Sequence, residues 1–128
     1  MRDEQVRRYS RHIMLPDIGG LGQTAIMVSS ARLVLRESEA TAELVAGSFL
    51  VAGGIGKLVV PQSTEQQRAT LAARGPDTRV VDDGDGREVM LAPTPSWWPA
   101  TDGDMVALSY WRGSIAATAF MADVVSRT

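Results

Sequence analysis

The sequence contains no cysteine. That excludes disulfides, thiolate zinc sites and any thioester carried by the chain itself. It also fits a reducing cytosol. Histidine occurs once, as His12, and lysine once, as Lys57. A lone histidine with no spaced carboxylates makes no metal cluster, and no marked nucleophile lies near it to need a base. Partial burial beside a helix is the expectation for His12. No apolar run reaches the roughly 20 residues a membrane helix needs. The formal net charge is −2, so no broad positive field draws the chain to nucleic acid. The N-terminus is charged (Arg2, Asp3, Glu4, Arg7, Arg8) and has no apolar signal core. These absences lead us to expect a soluble cytoplasmic protein with neither membrane nor nucleic-acid partners.

What is present suits one domain over residues 1–128. The chain is 45% hydrophobic and 22% charged, an ordinary globular balance. Residues 3–14 have Val6, Tyr9 and Ile13 at helical spacing, with Asp3 as a capping residue. Pro16 and the Gly19-Gly20 pair are expected to end that helix, and a second short one is expected over 22–30. Arg32-Leu33-Val34-Leu35 reads as a buried strand. A helix over 39–53 would bury Leu44, Val45, Ser48, Val51 and Ala52. Further strands are expected at 57–60 and 78–81, with a polar helix over 64–74 between them. This alternation predicts an α/β fold with a mainly parallel central sheet.

Beyond Val81 the pattern weakens. Residues 82–86 form an acidic turn, too short for a calcium loop. A fourth strand is expected over 88–92, a proline-rich loop over 93–104 and a further strand over 105–111. Residues 113–127 read as a final helix, apolar nearly all round, which needs cover on most sides. Trp97 and Trp98 lie in a loop stiffened by Pro93, Pro95 and Pro99. One ring is expected to cap the protein's own core and the other to meet a partner.

Several segments together resemble the ThiF/MoeB/HesA family, relatives of the ubiquitin-activating enzymes. Arg8-Tyr9-Ser10-Arg11 followed by "IMLPDIG" is similar to that family's N-terminal signature. Gly22-Gln23 and Arg32 to Leu35 resemble its lead into the first strand. Gly54-Ile55-Gly56-Lys57-Leu58 and Gly75-Pro76-Asp77-Thr78-Arg79-Val80 resemble its turns into the second and third strands. Gly113-Ser114-Ile115 with the helix after it is a weaker likeness. The resemblance covers about two-thirds of the chain, and family members are usually much longer, so it implies a truncated member. It also implies a Rossmann-like three-layer fold that dimerises. In the family such a fold binds Mg-ATP and adenylates the C-terminal glycine of a ubiquitin-like protein.

The chain departs from that pattern where the chemistry is done. Glycines after the first strand let backbone amides approach phosphate at a helix N-terminus. Here the stretch is Arg36-Glu37-Ser38-Glu39-Ala40-Thr41, which adds side chains and negative charge. Acids and Ser38 there suit the first turn of a helix. Gln62 follows the second strand in place of a ribose-binding acid, and Lys57 lies at the strand's opening, away from the expected site. The resemblance makes Arg11 the candidate phosphate contact in trans, across a dimer; the plainer alternative is an exposed arginine that keeps one helix face wet. The expectation is a non-catalytic subunit without cofactor or metal. It would form a homodimer, or a heterodimer with a full-length family member, through Trp97, Trp98, Ile115, Phe120 and Val124. The alternative is a minimal nucleotide-binding enzyme or ligand-binding module with an altered phosphate loop, since Arg36, Ser38 and Thr41 lie at a helix N-terminus.

Overall fold

A computed structural model describes residues 1–15, 18–36, 40–98 and 102–127, with the backbone alone for 102–104. The elements run α1 (Asp3–Arg8), α2 (Ser10–Met14), α3 (Gly19–Met27), β1 (Ser30–Arg32), α4 (Thr41–Ala52), β2 (Lys57–Val59), α5 (Glu65–Ala72), β3 (Arg79–Val81), β4 (Arg87–Glu88) and α6 (Asp102–Ser126). The strands form one all-parallel sheet in the order β3-β2-β1-β4. The chain is therefore an α/β protein with a small parallel sheet.

Register decides which side chains meet the helices. Ala31 is level with Leu58 and Arg87, and Leu58 with Val80. Parallel partners point the same way, so these residues share one face, continued by Leu33, Val60 and Val89. That face holds the core, together with Ala46, Leu50 and Val51 of α4 and Ala116, Ala117 and Phe120 of α6. The opposite face carries Arg32, Lys57, Val59, Arg79, Val81 and Glu88. The short acidic connection 82–86 runs back across that face from β3 to β4, about three strand spacings or roughly 14 Å away. A β-carbon on Gly84 would lie 3.4 Å from Lys57 Nζ and 3.6 Å from Val59 Cγ2.

The long final helix is the main departure from expectation. The strand expected over 105–111 is instead the first half of α6, which is 25 residues long. A short apolar run such as Met105 to Leu108 is ambiguous by itself. Joined to residues 109–126, it acquires a period: Leu108, Ala116, Phe120 and Val124 fall on one stripe, and the first three are buried. The N-terminal helix expected over 3–14 is broken at Tyr9, whose φ of −102° and ψ of 20° end α1 and precede α2. Arg2, not Asp3, occupies the capping position of α1. Gly19 and Gly20 open α3, although they were expected in the preceding turn; Pro16 lies outside the described residues. The helix expected over 64–74 is α5, with Thr64 accepting the Gln67 amide at 3.1 Å in a reciprocal cap.

The buried face of α4 is also different. Ala42, Glu43, Ala46, Gly47, Leu50 and Val51 are buried, while Leu44, Val45, Ser48 and Ala52 line a groove shared with Tyr110 and Thr70. Size explains the shift. Alanine and glycine let α4 approach both the sheet and α6 closely, which larger residues would prevent. At the crossing with α6, a β-carbon on Gly113 would lie 2.6 Å from the Ala42 carbonyl oxygen and 2.6 Å from Val45 Cβ.

That contact sets two glycines against each other. In a helix interior, alanine is favoured over glycine by up to about 1 kcal/mol. Gly113→Ala is nevertheless expected to destabilise by about 1–3 kcal/mol, because overpacking outweighs the gain. Gly20 has nothing within 4 Å of its β-carbon position, so Gly20→Ala should stabilise by a few tenths to about 1 kcal/mol. Urea unfolding midpoints check the pair, and shifts of the same sign would refute the close crossing.

Candidate functional site

A parallel sheet offers ligands a crevice at the carboxyl ends of its strands. In this chain that is the end of β1, where the backbone passes into α4. Ala40 precedes this helix with φ 53° and ψ 28°, and no side chain caps the first turn. Glu43 lies in that turn and is only 2% exposed. Its Oε2 is buried without a hydrogen-bond partner. A carboxylate gains from a helix N-terminus, but it also fills that end with negative charge. Nothing in the alternation of the sequence marks Glu43 as buried. Its signal was position: it is a first-turn acid on the same face as Ala46, Gly47 and Leu50. Arg36 is ion-paired with Glu88 of β4 instead of being free for an anion. Glu37, Ser38 and Glu39 lie outside the described residues. Gln62 is exposed with φ 59°, and Lys57 opens β2 at the other end of the sheet.

The N-terminal signature forms a second cluster. Tyr9 donates its hydroxyl to Asp77 Oδ2 at 2.6 Å. Arg8 donates to the same oxygen at 2.7 Å, and Gln5 Nε2 donates to Oδ1 at 3.0 Å. Arg2 reaches Oδ1 at 3.3 Å but is mostly exposed and adds little. The Asp77 side chain is 5% exposed. Burial pushes its carboxyl up, but the hydrogen bonds from Tyr9 and Gln5 and the Arg8 guanidinium outweigh that and hold it below its ordinary value. Burial first, and then the bond and charge of Asp77, push the Tyr9 hydroxyl up to about 12. The Tyr9 ring lies on Gly54, where a β-carbon would come within 2.6 Å of Cζ and where φ is +91°. Glycine is required there on both counts. Three segments that look like family motifs thus meet in one structural cluster.

Arg11 takes no part in the hydrogen bonds of this cluster. It is exposed, and among the described residues no ion pair engages it. His12 is half-buried, as its sequence context led us to expect. Its Nδ1 lies 2.9 Å from Gln23 Oε1, and Gln23 Nε2 donates to the Gly53 carbonyl at 3.0 Å. The imidazole lines a cavity of about 470 Å³ between α2, α3 and the last turns of α6, walled by Leu15, Ile18, Ile26, Met121 and Val125.

The residues expected at an interface divide. Trp97 is 72% exposed and Ile115 40%. Trp98 is half-buried, 6.3 Å from Trp111 of α6 by ring centres and 5.7 Å from Trp97. Phe120 is buried in the core beneath the Arg87 guanidinium, 4.5 Å from its ring centre, and Val124 packs against the same core. Among the described residues, no group of three or more histidines or carboxylates could hold a metal, and no helix is long and apolar enough to cross a membrane. No family model matches the chain, and no curated protein matches it.

The Asp77 cluster has a sharp pH signature. The folded value of Asp77 is below its ordinary 3.8, so its contribution is present above 3.8 and lost as pH falls through the lower value. Tyr9 is raised from 10.0 to about 12, so its contribution is complete below 10.0 and lost as pH rises through about 12. Asp77→Asn is expected to lose about 2–3 kcal/mol at neutral pH, because three donors lose a charged acceptor. It should also flatten the acid arm, whereas Tyr9→Phe should flatten the alkaline arm. Urea midpoints measured across pH check both arms.

Proposed function

We propose that the chain is a non-catalytic, ThiF/MoeB/HesA-like subunit that has lost ATP binding and acts by assembling with a second subunit, either itself or a full-length family member. The observation that carries this reading is Glu43, a buried carboxylate in the first turn of the helix that follows β1. Phosphate binding uses that end of a helix because its amides and dipole are positive. A buried acid in that turn offers a phosphate no cationic partner and takes up room beside the helix amides. Arg36 does not offset it, since its guanidinium is paired with Glu88.

The fold supports the ancestry as far as it goes. Consecutive parallel strands joined through α4 and α5 are the pattern of a Rossmann-like half. A full three-layer arrangement belongs to this same reading. Leu50 and Val51 of α4, Leu71 of α5 and Phe120 of α6 share the core with Leu58, and a layer on the opposite face would be contributed on assembly. The exposed Trp97 and Ile115 support an interface, while the core places of Phe120 and Val124 shift it away from that side of α6. Arg11, exposed on α2, remains free to reach a partner's nucleotide. The alternative, an anion-binding module, draws on the lack of a side-chain cap on α4.

Calorimetry with Mg-ATP separates the two. The expected result is no saturable heat, corresponding to a Kd weaker than about 1 mM. Binding in the micromolar range that weakens on Thr41→Val would overturn the non-catalytic reading. Sedimentation equilibrium tests assembly: a dimer is expected, with Ile115→Asp or Trp97→Asp folded but monomeric. A natural chain that stays monomeric alone and with a full-length family member would refute it.

A further inference from the structure

The cavity at His12 shares no lining residue with the start of α4 or with Trp97 and Ile115, and the hydrogen-bond partners of its polar atoms define their roles. Gly53 presents a carbonyl oxygen, which only accepts. The Gln23 amide must therefore turn its NH2 toward that oxygen, at 3.0 Å. This leaves Gln23 Oε1 as the acceptor facing His12 Nδ1, at 2.9 Å. Nδ1 must then carry the proton, and in the neutral ring Nε2 is a bare acceptor. Gln23 is fully buried, so the arrangement cannot be exchanged for water. Among the described residues, no partner engages Nε2.

The other polar atoms of the cavity are committed in the same sense. Thr118 Oγ1 donates to the Ser114 carbonyl at 2.8 Å, and Ser126 Oγ donates to the Asp123 carbonyl at 2.8 Å. Each hydroxyl has spent its one proton within α6 and has only lone pairs left. Among the described residues, the side chains that line the cavity therefore offer apolar walls and acceptors, and no uncommitted donor. Its volume, about 470 Å³, falls in the range of small-molecule sites, which combine apolar lining with a few fixed polar groups.

The geometry points to a binding site for a small apolar molecule bearing one hydrogen-bond donor, of the phenol or alcohol class, with its hydroxyl on His12 Nε2 and its body between Ile18, Ile26, Met121 and Val125. A carboxylate of the same shape is a poor fit, because it brings acceptors to acceptors. A ligand that lacks the donor would leave Nε2 desolvated and unpaired. This site does not depend on whether the chain assembles or has lost ATP.

The test uses the full chain and three probes of one shape: 4-propylphenol, its methyl ether and 4-propylbenzoate. Binding is followed by the methyl resonances of Ile18, Ile26 and Val125 and by the His12 ring nitrogens. The phenol is expected to saturate, with an affinity about 3- to 10-fold above the ether, the worth of one hydrogen bond. The benzoate should be the weakest. His12 should show its proton on Nδ1 in the neutral form, and its Nε2 resonance should move with the phenol alone. His12→Phe should abolish the difference between phenol and ether, and Ala122→Trp, which fills the cavity, should abolish binding of both. Because the three probes already discriminate on the natural chain, an unfolded variant does not rescue the idea. Failure of the phenol to saturate, equal affinity for the ether, preference for the benzoate, or a proton on Nε2 would each overturn it.

Discussion

The Asp77 carboxylate is the contact on which the N-terminal third of the molecule depends. One nearly buried charge accepts from Tyr9, Arg8 and Gln5 at once, and so fastens α1 and α2 to the segment that leads into β3. Burying an acid is unfavourable unless donors surround it. Here they do, and the arrangement is self-reinforcing: the charge keeps the Tyr9 hydroxyl protonated, and the hydroxyl stabilises the charge. The Tyr9 ring then lies on Gly54, at the turn into β2, which sets where α2 runs. His12 comes next on α2 and meets Gln23, and through it the Gly53 carbonyl. Asp77 thus ties the break at Tyr9, and through α2 one wall of the His12 cavity, to the segment before β3.

A second constraint works at the other end of the molecule. The α4 helix touches the sheet, α5 and α6, and Ala42, Ala46 and Gly47, half of its buried positions, leave room for that approach. Gly113 of α6 meets the Ala42 carbonyl and Val45 with no room for a methyl group. The close approach leaves little space around the start of α4, and into that space the chain places Glu43. An enzyme that binds phosphate at such a helix needs open amides and room. In this helix the first turn instead holds a buried acid, Glu43.

The same residues serve differently from what their resemblance suggests. The family likeness points the second arginine of the N-terminal signature, Arg11, to a partner's nucleotide and gives Arg8 no such role. In this chain Arg8 is paired with Asp77, and Arg11 is exposed with no ion pair among the described residues. In this molecule "RYSR" and "GPDTRV" meet through Arg8, Tyr9 and Asp77 in a contact that holds the fold together. The Trp pair divides in a comparable way: Trp98 rests beside Trp111 of α6, and Trp97 projects outward.

The sequence by itself determined the alternation of short apolar strands with helices, and hence the parallel sheet. Periodicity is local, so the segments at 57–60 and 78–81 could be read directly, as could the polar helix between them and the partial burial of His12. What only the tertiary structure decided is which face of each element is inside. The buried stripe of α4 could not be read because burial there follows close approach, which favours small residues over large ones. The run at 105–111 could not be assigned because a short apolar segment has no period until it is joined to the helix beyond it. Asp77 lies about 70 residues along the chain from Gln5 and Tyr9, and no spacing rule links residues so distant. Their meeting, like that of His12 with Gln23, comes from the packing of the whole chain.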